Sequence, residues 1–141
     1  GFLQRTRWQG DVIEGYDLVH PSTGDAEALA REDASAPELC RWAFSPAGFE
    51  RARRWTLEPG RDVVFVEAGR LEAARQGHWP TLVAALERSP LTVLSIRRGV
   101  LASVALALPD PVDAIELPAD ADEVERFVHR ARRLYAQEAN R

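Results

Sequence analysis

The 141-residue sequence contains no lysine and no methionine, so all eighteen of its basic residues are arginines. It has a single cysteine, Cys40, which excludes an internal disulfide and a zinc site built from several thiolates. A reactive thiol requires a base or a positive charge beside it. Because a small buried core residue is the more frequent use of a lone cysteine, we predict that Cys40 is part of the core.

Long apolar runs are also missing. The sequence has no stretch of about eighteen consecutive apolar residues and does not open with a charged and then apolar leader, so we expect a cytoplasmic protein that does not contact a membrane. The net charge is −4, and arginines alternate with acidic residues along the chain. This balance argues against non-specific nucleic-acid binding, and we expect no nucleic-acid partner.

The N-terminal third of the sequence predicts short strands. Apolar and polar residues mix around Gly10 in a pattern typical of a β-hairpin, whereas residues 25–41 are irregular and predict a loop with one short strand. A further strand is predicted over residues 41–45. Ser45 followed by Pro46 favours a helix start, because serine caps a free amide and proline lacks one, and this helix is expected to end near Leu57.

The remainder of the sequence predicts alternating strands and helices. Two mainly apolar runs, residues 62–66 and 91–96, favour buried parallel strands, with a helix between them in a right-handed crossover. A short helix over residues 100–108 and a third strand over residues 114–117 would follow. A final amphipathic helix is then predicted, and Asp120 and Glu123 at its start have the spacing of a capping box, with Asp in place of Ser or Thr. We therefore predict a three-layer α/β fold: a mainly parallel sheet with helices on both faces, and an antiparallel hairpin near the N-terminus.

Charged residues follow both apolar runs, at the edge where ligands bind in open α/β sheets. Glu67, Gly69 and Glu72 follow the first run, and Arg97 and Arg98 follow the second. If the two strands are neighbours, carboxylates and guanidiniums converge there, a combination that suits an anionic ligand with a metal ion. A structural ion pair at the rim of a loop is the alternative.

A lone histidine, His78, precedes Trp79 and Pro80. A histidine at such a position more often caps or packs at the start of a helix than transfers a proton. We therefore predict a packing role for His78.

Ordered phrases along the chain resemble the small nucleoside-triphosphatase family of P-loop proteins. They are "GFLQRTRWQGDVIEGYDLVHPSTGDAEALAR", "FSPAGFERAR", "RDVVFVEAGRLEAARQGHWPTLVAALERS" and "LTVLSIRRGVL". The resemblance implies a fold like that of the RecA and AAA-type ATPases, and hydrolysis of nucleoside triphosphates with Mg²⁺. It also implies one P-loop NTPase-like domain over residues 1–141.

Two departures from the family pattern are visible. The family has a strand, a phosphate-binding loop and a helix before the "GF" found here as Gly1 and Phe2, so we expect that this unit is absent from the sequence. Neither the Walker A motif G-x-x-x-x-G-K-S/T nor any lysine is present. The family also has Asp before the glutamate of "VFVEAGRLE"; here Val66 takes that place, or the loop is one residue shorter.

The resemblance implies roles for the residues at the strand ends. Glu67 would orient the attacking water and hold Mg²⁺, and Arg97 would stabilise the charge that develops on the phosphate. Gly69, Glu72 and Arg98 would contact the nucleotide.

Two functions stay open. The complete protein is a nucleoside-triphosphatase, or the chain is a degenerate, non-catalytic NTPase-like subunit used for binding or scaffolding. Because a sheet that lacks a central strand leaves edges open, we also expect a protein partner or self-association.

Overall fold

The computed structural model describes residues 1–33, 41–58 and 63–138. Cys40, which we expected in the core, lies outside these residues. Within the described ranges, no helix combines the length and the apolar character needed to cross a membrane.

The N-terminal part forms a four-stranded antiparallel sheet, in the order β1-β2-β3-β4. The predicted hairpin at Gly10 is present, and Gly10 has φ +58, in the left-handed region that glycine adopts without steric cost. The short strand predicted within residues 25–41 is seven residues long, and the strand predicted over residues 41–45 is also found. The four strands are β1 (Leu3–Gln9), β2 (Val12–Val19), β3 (Ala26–Glu32) and β4 (Trp42–Phe44).

Helix α1 (Pro46–Thr56) covers one face of this sheet, and its start matches the prediction. The Ser45 hydroxyl accepts a hydrogen bond from the Gly48 amide at 3.1 Å, and proline stands at the first helical position. The sheet and the helix share an apolar core of Leu18, Leu29, Ala52 and Trp55.

The second part of the chain contains the predicted parallel pair, β5 (Val63–Ala68) and β6 (Leu91–Ile96). Between them lie a short helix, α2 (Arg70–Ala73), and helix α3 (Trp79–Arg88). Alternate residues of β5 are buried against α3, and the core here consists of Val64, Val66, Leu82 and Ala85.

Two helices complete the fold. After a single 3₁₀ turn over Arg98–Val100, helix α4 spans only Leu101–Ala105, shorter than predicted. Helix α5 (Ala121–Glu138) starts at the predicted capping box. The Asp120 carboxylate accepts a hydrogen bond from the Glu123 amide at 2.8 Å, and the Glu123 carboxylate accepts one from the Asp120 amide at 3.3 Å.

The prediction of a mainly parallel, three-layer sheet is wrong. The larger sheet is antiparallel, the parallel sheet has two strands, and the third strand predicted over residues 114–117 is not formed. Pro118 has no amide to donate to a ladder, and Glu116 pairs instead with Arg98. Two, six and nine residues separate the consecutive strands in residues 1–44, fewer than the roughly twelve that a crossover between parallel neighbours needs, so these strands form a sheet of their own.

Gly48 tests the contact between α1 and the antiparallel sheet. Alanine in place of glycine usually stabilises a helix by about 1 kcal/mol, but a Cβ at residue 48 would lie 2.5 Å from the carbonyl oxygen of Ala28. We expect Gly48→Ala to lower the free energy of unfolding by about 1–3 kcal/mol, because the backbone of β3 must move. Urea unfolding monitored by circular dichroism measures the change.

Gly99→Ala is the matched control, since a Cβ at Gly99 meets nothing within 4 Å. Its effect is expected to stay within about 0.5 kcal/mol. Equal stability of the Gly48→Ala protein and the wild type would contradict the close approach of α1 to β3.

Candidate functional site

The register of the parallel pair brings the two predicted strand ends together. Glu67 of β5 lies opposite Ser95 of β6, and Ala68 lies opposite Ile96. The amide of Arg97 donates a hydrogen bond to the Ala68 carbonyl oxygen at 3.2 Å. Glu67 and Arg97 therefore lie at the same carboxyl edge of the sheet, as their positions in the sequence predict.

Glu67 and Arg97 form an ion pair in which Arg97 Nη2 lies 3.5 Å from Glu67 Oε1. The two side chains are 64 % and 71 % exposed, respectively. An ion pair this exposed contributes about 0–1 kcal/mol to stability. Either side chain can therefore leave its partner and bind a ligand or water instead, at little cost in free energy.

Glu72 has a different environment from Glu67, since only 5 % of it is exposed. Its Oε2 accepts a hydrogen bond from the Gly69 amide and its Oε1 one from the His78 amide, both at 2.8 Å. Gly77 packs against this carboxylate with φ +61, and a Cβ there would lie 2.5 Å from Oε1. Glu72 thus clamps the start of α2 to the start of α3.

The Glu72 clamp already uses two of the residues that were expected to contact the nucleotide, Gly69 and Glu72 itself. Gly69 donates its amide to Glu72, and Glu72 uses one oxygen for that amide and the other for His78, so these groups already bind each other. The third expected contact, Arg98, forms an exposed ion pair with Glu116 rather than joining Glu67. Of the five candidate residues, the structure brings Glu67 and Arg97 together as an exposed pair.

The residues at this edge offer few ligands for a metal ion. Val66, at the place of the family's aspartate, is 8 % exposed and packs in the core. Among the described residues no group of three or more His, Cys, Asp or Glu side chains is arranged to hold a metal. Magnesium is often bound through one or two carboxylates, with phosphate oxygens and water completing its shell. Glu67 is the side chain here that fits such a role.

The imidazole of His78 packs between aromatic rings at the start of α3, which confirms its predicted packing role. It stacks on Phe2, with ring centroids 5.2 Å apart, and meets Phe49 edge-on at 4.9 Å. Its Nδ1 is buried and has no hydrogen-bond partner among the described residues. Burial lowers the pKa of His78, although the charges of Glu72 and Glu67 act in the opposite direction.

A second buried acid, Asp17, was not identified from the sequence. It is 4 % exposed on the sheet face opposite α1 and pairs with Arg5 at 3.3 Å, with Arg7 at 3.6 Å and with Arg31 at 2.5 Å. Burial alone would raise its pKa, but hydrogen bonds from Arg31 and Arg5 and the neighbouring charges outweigh burial and lower the pKa. The sequence does contain a signal for this cluster: Arg5 and Arg7 are two residues apart on β1, so they share one face of the strand beside Asp17 on β2.

Comparison with known proteins gave no match: no family model, no curated protein and no solved structure is similar to this chain at a significant level.

The Glu72 clamp is tested by Glu72→Gln. The amide of glutamine can accept one of the two backbone hydrogen bonds but places its NH₂ group against the second donor. We expect the free energy of unfolding to fall by about 1–3 kcal/mol, the usual effect of leaving a buried donor unsatisfied. The matched control is Glu67→Gln, which removes an exposed carboxylate and should change stability by about 0.5 kcal/mol or less. Equal losses in urea unfolding would contradict the clamp.

The packing of His78 predicts a pH dependence. The folded-state pKa is below the ordinary value of 6.5, so the unfolded chain takes up the proton at a higher pH than the folded chain does. The stabilising contribution is therefore present above about pH 6.5 and is lost as the pH falls through the folded-state pKa. His78→Phe keeps an aromatic ring but has no titrating group. The other histidines are the same in both proteins, so their contributions cancel when the two are compared.

The free energy of unfolding of both proteins is measured at several pH values from 7.5 to about 5, which brackets the ordinary histidine pKa. We expect it to fall more steeply with decreasing pH in the wild type than in His78→Phe. Parallel curves for the two proteins would contradict a lowered pKa.

Proposed function

We propose that the protein takes part in nucleoside-triphosphate binding and hydrolysis, and that Glu67 and Arg97 act on the phosphate. One observation carries the proposal: a carboxylate and a guanidinium lie 3.5 Å apart, exposed, at the carboxyl edge of a parallel strand pair. This is the edge at which α/β proteins bind ligands. The same reaction is the one expected from the phrases of the sequence that resemble the small P-loop nucleoside-triphosphatases, although no family model matches this chain.

The proposed chemistry divides the two charges between water and phosphate. Arg97 releases Glu67 and binds a phosphate oxygen, where its charge stabilises the transition state. The released Glu67 accepts a hydrogen bond from the attacking water and orients it in line with the terminal phosphate. Magnesium, when bound, neutralises phosphate oxygens, and Glu67 is the side chain that would hold it. Since Glu67 is exposed, it is accessible to both the water and the ion.

The triphosphate cradle is a separate requirement. These 141 residues contain no lysine and no phosphate-loop motif, so they do not themselves supply the loop that binds the triphosphate. They supply Glu67, which orients the water, and Arg97, which neutralises charge on the phosphate. The proposal requires a phosphate loop elsewhere in the same polypeptide or in a partner chain. We propose the cytoplasm as the compartment, in keeping with the composition of the sequence and its single cysteine.

A second candidate function is a non-catalytic binding or scaffolding subunit. It is favoured by the way the site residues are used: Val66 lies in the core, Glu72 clamps two backbone amides and Arg98 pairs with Glu116. Phe65, next to Val66 on β5, is 73 % exposed. Aromatic residues are enriched at contacts between proteins, so this ring suits such a contact.

Hydrolysis is tested with the full encoded protein, Mg²⁺, and ATP or GTP, by measuring phosphate release. We expect Glu67→Gln to reduce kcat by at least about 10²-fold, because the amide does not orient water as a carboxylate does. Glu87→Gln on α3 is the matched control and should leave kcat unchanged. Arg97→Ala should raise KM and lower kcat, through loss of the phosphate contact.

The two candidate functions give different results. Unchanged turnover in a folded Glu67→Gln protein would remove Glu67 from the reaction. A full encoded protein that neither binds nor hydrolyses nucleotide would favour the scaffolding subunit.

A further inference from the structure

Strand β1 forms one edge of the antiparallel sheet and is its most exposed strand. In the order β1-β2-β3-β4 it pairs with β2 alone, and six of its seven residues are exposed. Within the described ranges, no backbone group outside β2 forms a hydrogen bond with the backbone of β1. An open edge of this length is a template on which a further strand can pair.

Two arginines of β1 converge on one point beside this edge. Arg5 Nη2 lies 3.3 Å from Oδ2 of Asp17, and Arg7 Nη1 lies 3.6 Å from the same oxygen. Because both nitrogens lie within 3.6 Å of one oxygen, they are no more than roughly 7 Å apart, a gap that an anionic group with two oxygens can bridge by hydrogen bonds of about 2.9 Å. The buried Asp17 thus places two guanidiniums within reach of a single further carboxylate.

The arginines of this sheet face outnumber its acids. The three arginines, Arg5, Arg7 and Arg31, contact two carboxylates. These are Asp17 and Glu14, and the described residues hold no other carboxylate within ion-pair distance of the three guanidiniums. Three positive charges therefore meet two negative ones, and one positive charge is left over.

Most of the N–H donors of Arg5 and Arg7 are available to a partner. A guanidinium has about five donors, and Arg5 uses one of them within the described part of the chain, for Asp17 at 3.3 Å. Arg7 lies 3.5 Å from Glu14 and 3.6 Å from Asp17, which is longer than a normal hydrogen bond. The two arginine side chains are 59 % and 46 % exposed, so a carboxylate from outside can contact them.

We propose that the edge of β1 binds an extended segment of a partner protein that carries acidic residues at alternate positions. The segment adds as a fifth strand through backbone hydrogen bonds, and acidic residues two positions apart match the spacing of Arg5 and Arg7. Opposite charges on neighbouring strands attract and like charges repel, so the arginines select an acidic strand and disfavour the β1 of a second copy. The single surplus charge, on a sequence that carries −4 overall, suits carboxylates better than the dense charge of a nucleic acid.

The test is a titration of the ¹⁵N-labelled protein with a synthetic peptide that alternates glutamate with threonine over about eight residues, within the usual range of strand lengths. We expect saturable chemical shifts of the β1 amides. Hydrogen exchange should slow at the β1 amides that point away from β2, because the peptide backbone pairs with them. A peptide with lysine in place of every glutamate should bind at least about tenfold more weakly, since its charges repel the arginines.

The double variant Arg5→Gln/Arg7→Gln should bind the glutamate peptide at least about fivefold more weakly, because two ion pairs across neighbouring strands are lost. The control is Arg126→Gln/Arg132→Gln, which removes the same charge from the exposed surface of α5. It should keep the wild-type Kd within about twofold, the scale of a change in screened surface charge. Thermal unfolding verifies that both double variants fold, and the single variants Arg5→Gln and Arg7→Gln replace a double variant that does not.

Several results would overturn the proposal. Shifts that do not saturate, or equal weakening by the two double variants, would exclude a specific contact with Arg5 and Arg7. Saturable shifts without slower exchange in β1 would indicate an anion contact and no added strand. Exchange in β1 that slows with protein concentration alone would assign the edge to a second copy, and tighter binding of an oligothymidylate than of the peptide would assign it to a nucleic acid. None of these measurements depends on hydrolysis, so failure here leaves the proposed function to its own test.

Discussion

The carboxylate of Glu72 is the constraint on which the geometry of the strand ends depends. It holds the amide of Gly69, immediately after β5, and the amide of His78, immediately before α3. Helix α3 covers the buried face of both parallel strands, so this one group fixes the helix relative to the strand that precedes it. Because the imidazole of His78 also packs on Phe2 and Phe49, the same clamp reaches the antiparallel part of the molecule.

Burial separates two structural acids of this protein, Asp17 and Glu72, from Glu67 at the strand end. Asp17 and Glu72 are both at most 5 % exposed, and each is saturated by arginines or by backbone amides. Removing a partner from such a group leaves a buried donor or charge unsatisfied, which costs several kcal/mol. Glu67 is 64 % exposed and has one weak partner, Arg97, so a ligand can replace that partner without disturbing the fold.

Local signals in the sequence predicted most elements of the fold, the hairpin and the parallel pair, but not the four-stranded antiparallel sheet. Ser45 and Pro46, the capping box at Asp120 and the two apolar runs each act over a few residues, and the structure has an element at each of them. Strand pairing depends on contacts between distant residues, and the resemblance to a mainly parallel family suggested the wrong sheet. The candidate site shows the same limit. Nothing in the local sequence distinguishes Glu67 from Glu72, and only the packing leaves Glu67 exposed and buries Glu72 against two backbone amides.

The neutral pair at the carboxyl edge has a consequence for ligand capture. Glu67 and Arg97 neutralise each other there, so the field at this edge is weak until a ligand separates them. The sequence as a whole carries −4, so its net charge does not attract an anion from a distance, and exposed charges are screened beyond about 10 Å at 0.1 M salt. An anionic ligand at this edge would therefore be held by the short-range contact that draws Arg97 away from Glu67.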